Sequence, residues 1–124
     1  MIFLDMSVVV WLFSGEIDML SKKTSDLIGN EHLFISPALA LVLQYLKEIK
    51  RITADPFLIV QKLSDSLDLK ISSGSFQKIV VEAVSQTWTR DTFDRLIVSN
   101  ALINQALLVS KDRSILQHYQ RAVW

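Results

Sequence analysis

The sequence predicts an α/β fold with a central parallel sheet and helices on both faces. Short apolar runs that suit buried strands recur along the chain, and segments with apolar residues at helical spacing separate them. Several of these runs end at a polar residue, beyond which a helix is predicted to begin. Strands that alternate with helices are joined by right-handed crossovers, which build a parallel sheet covered on both sides.

The elements follow from local patterns. Strands are predicted at residues 2–4, 33–35, 67–71 and 107–109 and in the final Ala-Val-Trp segment. Helices are predicted at residues 7–13, 17–28, 37–50, from 56 onward, 76–84, 92–105 and 113–116. The helix from residue 56 is expected to turn four residues to the core: Phe57, Ile59, Val60 and Leu63.

Glycine, serine and proline mark several of the predicted boundaries. Gly15 closes the first helix, and Gly29 is predicted to close the second as a C-cap. Ser36 supplies an N-cap, and Pro37 suits the first helical position that follows it. Pro56 begins a later helix in the same way.

The composition indicates a single domain over residues 1–124, because 124 residues bury a core without staples. The chain has no cysteine, so disulfides and thiolate metal sites are excluded and a metal would need oxygen or histidine ligands. The 13 basic and 13 acidic residues cancel, so any nucleic-acid contact must be local.

Hydropathy bears on location and partners. The apolar run at residues 8–13 is too short to cross a bilayer, so we expect a soluble protein with no membrane partner. The lack of cysteine favours a cytoplasmic location. Hydrophobic residues make up 50% of the chain, and its mean hydropathy is +0.31. This excess favours an apolar partner face or a homodimer.

Four aspartates lie at three predicted junctions: Asp5 after the first strand, Asp91 and Asp94 where a later helix begins, and Asp112 after a late strand. The carboxyl ends of parallel strands share one edge of a sheet, so we expect these side chains to meet there. For any single aspartate, helix capping or first-turn stabilisation is the more common explanation. Asp5 fits that explanation least easily, because it directly continues a buried strand.

Carboxylates that gather in one place repel one another unless a cation neutralises them. Oxygen ligands without histidine or thiolate suit Mg²⁺ or Mn²⁺, and such sites serve the hydrolysis of phosphodiesters. Four basic residues flank the acids and are candidate phosphate anchors: Arg90, Arg95, Lys111 and Arg113.

Other polar and aromatic residues are weaker candidates. His32 and His118 are far apart and without local partners, so structural or surface roles are expected. Ser7 and Ser110 stand near aspartates, where either a cap or a bond to bound water is open. The tryptophans are expected to pack, and Trp88 is the least certain because it lies in a polar loop.

Four stretches of the chain are familiar together: MIFLDMSVVVWLF, SPALALVLQYLKEIKRI, TWTRDTFDRLIVSNAL and LLVSKDRSI followed by HY and VW. In this order they resemble the PIN-domain family, specifically VapC-type toxins of bacterial toxin–antitoxin modules. The resemblance covers essentially the whole chain. It implies a three-layer α/β/α sandwich and a Mg²⁺- or Mn²⁺-dependent endoribonuclease that cleaves RNA and pairs with an antitoxin.

The resemblance also implies site residues. Asp5, Asp94 and Asp112 match three of the family's four metal-binding acids, and Asp91 matches a further acid of this subgroup. The remaining family acid is a glutamate on the helix after the second strand, where this chain has Val42. We therefore expect impaired catalysis, which could come from natural degeneration or from a deliberate change that permits production of a toxic protein.

Val42 also has an ordinary structural explanation, since it completes an apolar stripe with Leu39, Leu46 and Ile49. Gln44 and Glu48, the nearest polar candidates, project away from its face. Two alternatives to the nuclease remain open. One is a catalytically weak or inactive scaffold that dimerises and binds an antitoxin. The other is a phosphoacceptor receiver domain, which fits less well because Asp5 stands alone after the first strand.

Overall fold

The computed structural model describes residues Met1–Trp124, and its centre is a five-stranded sheet in which every neighbouring pair is parallel. The strands, in chain order, are β1 (Ile2–Leu4), β2 (Leu33–Ile35), β3 (Lys70–Ile71), β4 (Leu107–Val109) and β5 (Ala122–Val123). Their order across the sheet is β3-β2-β1-β4-β5. The predicted α/β class and parallel sheet are confirmed. The alternative of a phosphoacceptor receiver domain predicts the strand order 2-1-3-4-5, which differs from the order observed here.

Seven α-helices and one 3₁₀ helix at Ile17–Met19 connect and flank the strands. The α-helices are α1 (Met6–Ser14), α2 (Lys22–Asn30), α3 (Ala38–Glu48), α4 (Pro56–Leu67), α5 (Phe76–Ser85), α6 (Thr92–Ile103) and α7 (Arg113–His118). None of them is both long enough and apolar enough to cross a membrane.

The strand order creates a crevice at one edge of the sheet, because successive strands are added on one side of β1 and then, from β4 onward, on the other. The chain runs outward from β1 through β2 to β3, then returns to the other side of β1 for β4 and β5. Leu4 pairs with Val109 at the carboxyl ends of these neighbouring strands, and the Asp5 N–H donates to the Val109 carbonyl at 3.0 Å. Crevices at such a switch point are where open α/β sheets bind ligands.

A cluster of 23 buried hydrophobic residues forms the core around this sheet. Phe3 at the centre of β1 is 0% exposed, as are Ile35 in β2 and Leu108 in β4. Strands buried on both faces read as continuous apolar runs, which is why the three longer strands were visible in the sequence.

The predicted helix at residues 17–28 is wrong over its first part. The chain forms a single 3₁₀ turn, and Leu20 is then extended. Ser21 caps α2, since its Oγ accepts from the Thr24 N–H at 3.0 Å. This cap stabilises a new helix start and so divides the segment. Gly29 lies inside α2, which ends at Asn30.

The predicted strand at residues 67–71 is also shorter than expected. Leu67 belongs to α4, and Asp68 ends that helix in the left-handed region with a φ of 54°. Only Lys70 and Ile71 pair with β2. Leu69 is 1% exposed although it lies outside the strand. The alternation of apolar and polar residues at 67–71 therefore reflects side-chain packing more than strand pairing.

Two predicted core positions are exposed. Phe57 is 68% exposed, whereas Pro56, Ile59 and Val60 are buried. Residues 56, 59, 60 and 63 share one helical face, and residue 57 points away from it. Ile49 is 45% exposed, because α3 ends at Glu48 before the apolar stripe can include it.

Candidate active site

A cavity of about 610 Å³ opens at the switch point between β1 and β4. Its walls come from the start of α1, the middle of α3, the start of α6 and the loop after β4. All four predicted aspartates line it: Asp5, Asp91, Asp94 and Asp112. The tertiary structure therefore brings together acids that lie up to 107 positions apart in the chain.

A buried hydroxyl joins the ends of the two central strands. Ser110, which is 0% exposed, donates its Oγ proton to Oδ2 of Asp5 at 2.6 Å. The Ser110 Oγ in turn accepts from the Asp112 N–H at 3.0 Å. The sequence suggested a helix cap or a bond to bound water for Ser110, and the structure adds a third role, since this side chain holds the Asp5 carboxylate.

Three of the four aspartates also cap helices. Asp5 Oδ1 accepts from the Met6 N–H at 2.7 Å and begins α1. Asp91 caps α6 through the Asp94 N–H at 3.1 Å, and Asp112 caps α7 through the Ile115 N–H at 3.0 Å. Capping and a shared cavity are therefore both present at these positions.

Asp94 has no capping role. It lies in the first turn of α6, half-buried, and its carboxylate accepts no hydrogen bond from the protein. Burial, followed by repulsion from Asp91, Asp5 and Asp112, raises the pKa of Asp94 to about 7. Of the four aspartates, Asp94 is therefore the one whose position is least explained by a contribution to the stability of the fold.

Asp5 is shifted in the same direction. Burial is the largest cause that raises its pKa, and repulsion from Asp112 and Asp91 adds to it. The hydrogen bonds from Ser110 and from the Met6 N–H favour the ionised form and partly oppose the rise. The cavity thus concentrates negative charge that the protein only partly compensates.

The chemistry of these donors fits a hard divalent cation, because such a cation takes carboxylate oxygens and would relieve their mutual repulsion. Their arrangement is incomplete, however. No group of three or more histidine, aspartate or glutamate side chains is placed so that it could hold a metal ion. The acids converge on one cavity without forming a closed set of ligands.

Val42 lines the same cavity and is 9% exposed. The position at which the family resemblance implies a glutamate therefore shares the cavity with the aspartates, with an isopropyl group in place of a carboxylate. Gln44 and Glu48 do not replace it, because they lie outside the cavity and pair with each other at 2.9 Å.

Of the four predicted phosphate anchors, only Lys111 lines the cavity. Arg95 donates to the Thr89 carbonyl at 2.8 Å, and Arg90 donates to the Thr87 carbonyl at 3.1 Å. Both arginines line a separate cleft between α5 and α6. Arg113 lies outside the cavity as well.

Sequence reasoning missed the aromatic part of this site. Tyr45 lines the cavity one helical turn after Val42, and Trp11 lines it from α1. Tyr45 could have been found from the sequence, because it follows Val42 by three positions on the same helix and so lies on the same helical face. Trp88, the uncertain tryptophan, stacks on the His118 ring with centroids 5.1 Å apart, which gives both side chains a packing role.

No protein-family model matches the chain, and no curated protein is similar to it in sequence. A chain of a toxin–antitoxin complex from Klebsiella pneumoniae matches its fold with a TM-score of 0.68 at 15% identity, over 100% of this chain and 97% of that chain. A chain of the crystal structure of VapBC2 from Rickettsia felis, bound to a DNA fragment from their promoter, matches with a TM-score of 0.63 at 21% identity. That match covers 99% of this chain and 96% of the other. The chain therefore has the PIN-like α/β fold that the sequence resemblance implies, shared with chains of toxin–antitoxin complexes, VapBC2 among them.

Proposed function

We propose that this protein is the toxin of a toxin–antitoxin module and a Mg²⁺- or Mn²⁺-dependent endoribonuclease of reduced activity. One observation carries the proposal: four aspartates converge on a cavity at the sheet's switch point, and the pKa of Asp94 there is raised to about 7. Perturbed carboxylates in a cleft favour a functional site over a purely structural one.

The residues have separate tasks in this proposal. Asp5, Asp94 and Asp112 are the proposed ligands of the cation, although they do not form a closed ligand set in this structure, and Asp91 would add negative charge beside Asp94. When bound, the divalent ion supplies the positive charge that activates water and stabilises charge on a phosphodiester. Ser110 orients the Asp5 carboxylate through its 2.6 Å hydrogen bond.

Val42 explains why activity should be reduced. It offers no oxygen where a further carboxylate would complete the acid set, and the acids present do not form a closed ligand group. Removing one carboxylate from a shared divalent site weakens the binding of the cation and the positioning of its bound water.

The likeness to chains of toxin–antitoxin complexes supports an antitoxin as the protein partner. Exposed apolar side chains on α3 and α4, such as Leu41 and Phe57, at 59% and 68% exposure, are available for such a contact. RNA is the proposed substrate.

The decisive experiment is a cleavage assay on RNA with Mn²⁺, with Mg²⁺ and with EDTA. We expect slow cleavage by the natural chain that EDTA abolishes and that Asp5→Asn removes. Val42→Glu should raise the rate by at least about tenfold, the usual scale for restoring an interaction with the metal. Cleavage that persists in EDTA, or that Asp5→Asn does not reduce, would refute the nuclease proposal.

A second candidate function is a non-catalytic scaffold that binds the antitoxin. The absence of a closed ligand group together with the buried Val42 favours it. Calorimetry with Mn²⁺ separates the two. The scaffold predicts no heat of binding, whereas the nuclease predicts binding that becomes tighter in Val42→Glu. Co-purification with a small antitoxin is expected in both cases.

A further inference from the structure

Lys111 occupies a defined place at the rim of the acidic cavity. It lies between Ser110 and Asp112, whose backbone and side-chain hydrogen bonds fix the loop after β4. Its Nζ lies 5.9 Å from the centroid of the Trp11 ring and 5.8 Å from that of Trp124. The two indole rings are themselves 5.8 Å apart and inclined at 58°.

These contacts hold a long side chain without neutralising it. A lysine above an indole is attracted by the ring quadrupole within about 6 Å, and the ring carries no net charge. The ammonium group therefore keeps its full positive charge for an incoming ligand, while its flexible stem is confined to the rim.

Lys111 is also the only basic residue that lines the cavity. The three ion pairs of the structure lie elsewhere and involve the N-terminus, Lys47 and Lys70. Lys111 thus forms no ion pair with the neighbouring aspartates, although they share its cavity. The Lys111 ammonium group therefore has no anionic partner within the protein.

A polyanion that enters this cavity meets four carboxylates, and their repulsion has to be offset at the entrance. A lysine binds phosphate as a point charge. We propose that Lys111, placed beside the Trp11 and Trp124 rings, binds a backbone phosphate of single-stranded RNA and so directs the strand into the acidic cavity. This inference rests on the proposed function, because it assigns the nucleic-acid contact of that site.

The test measures the binding of fluorescently labelled single-stranded RNA by anisotropy, in EDTA to prevent cleavage, across a series of KCl concentrations. Lys111→Gln should weaken binding about tenfold at low salt. It should also reduce the slope of log K against log salt by about 0.7, the value for one phosphate contact on a single strand. Lys111→Arg should retain the slope.

Lys62→Gln is the matched control, because the Nζ of Lys62 lies 5.7 Å from the Phe13 ring and outside the cavity. It should leave both affinity and slope unchanged. Trp124→Leu should weaken binding about two- to five-fold while the slope stays the same, since the charge remains and only its placement is lost.

The outcomes separate this inference from the proposed function. Equal slopes for Lys111→Gln, Lys62→Gln and the natural chain would overturn the role of Lys111 and leave the nuclease intact. A natural chain that neither binds nor cleaves RNA would overturn both. Thermal melting of each variant checks that the fold is retained.

Discussion

At the scale of single residues, the four aspartates differ in what they contribute. Asp5, Asp91 and Asp112 accept hydrogen bonds from helix N–H groups, so their carboxylates are partly stabilised by the fold. Asp94 accepts none and stands among the other three. A charge placed at a cost to the folded state is typical of a functional position.

Asp94 should therefore make stability depend on pH. Its folded-state pKa of about 7 exceeds its ordinary value of 3.8, so the folded protein holds this proton more tightly than the unfolded chain. The stabilisation is fully present below about pH 4 and is lost as pH rises through about 7. Asp94→Asn should be more stable than the natural chain at pH 8 by about 1 to 2 kcal/mol, allowing for solvent screening.

Urea unfolding of both proteins at pH 5 and pH 8 measures this difference. The gain should shrink at pH 5, because the natural side chain is then largely protonated. Asp65→Asn is the control, since Asp65 is exposed on α4 and pairs only with Gln61. A pH-independent difference for Asp94→Asn would show that its carboxylate is not buried among like charges.

Ser110 provides the second prediction at this scale. Ser110→Ala removes the donor to Asp5 and leaves the Asp112 N–H without its acceptor. We expect a loss of about 1 to 3 kcal/mol in the free energy of unfolding, because both groups lose their partners in a partly buried place. Ser66→Ala, at an exposed hydroxyl on α4, should change stability by less than about 0.5 kcal/mol. Equal effects of the two substitutions would contradict the role of Ser110.

At the scale of elements, the start of α6 combines a cap with an electrostatic cost. The Asp91 side chain closes the first turn through the Asp94 N–H, and its charge raises the pKa of Asp94. Asn caps a helix about as well as Asp but is neutral. Two substitutions at this position therefore separate the hydrogen bond from the charge.

Asp91→Ala should be less stable than Asp91→Asn by about 1 kcal/mol, the usual value of an N-cap. In both variants the pKa of Asp94 should fall toward its ordinary range, since the repulsion from Asp91 is gone. Chemical denaturation gives the first quantity, and the pH midpoint of the stability change gives the second. An unchanged midpoint in Asp91→Asn would contradict the coupling between the two carboxylates.

Element boundaries were predictable where a cap, a proline or a strongly apolar run marks them, as at Pro56 and at β4. The segment at residues 17–28 was not, because the Ser21 cap competes with apolar spacing that continues across it. Phe57 was assigned to the core because it is hydrophobic. The buried face of α4 is instead formed by Pro56 and the residues that share its face, and Phe57 points away from that face. Local patterns locate helices better than they orient individual side chains.

At the scale of the whole molecule, part of the excess of apolar residues lies exposed on one helix. On α5, Phe76, Val81 and Val84 are 68%, 67% and 70% exposed. Exposed apolar side chains gathered on one helix are typical of an association surface. The homodimer expected from the composition stays a prediction, and this helix is where it is best tested.

Val84→Glu should shift the chain toward the monomer in sedimentation velocity, because it places a charge within this apolar surface. Ile17→Glu is the control, since Ile17 is 60% exposed but lies on the 3₁₀ helix. A natural chain that stays monomeric at all concentrations, or that responds equally to both substitutions, would contradict an interface on α5.

The sequence by itself determined the class of fold, the longer strands, most helix positions and the identity of the four aspartates. These features follow from short-range signals: apolar runs, helical spacing and capping residues. The tertiary structure alone decided that Asp94 is left without a donor and that Lys111 lies beside the Trp11 and Trp124 rings. Those relations depend on how distant elements pack around the β1–β4 edge, and residue spacing carries no information about contacts across that distance.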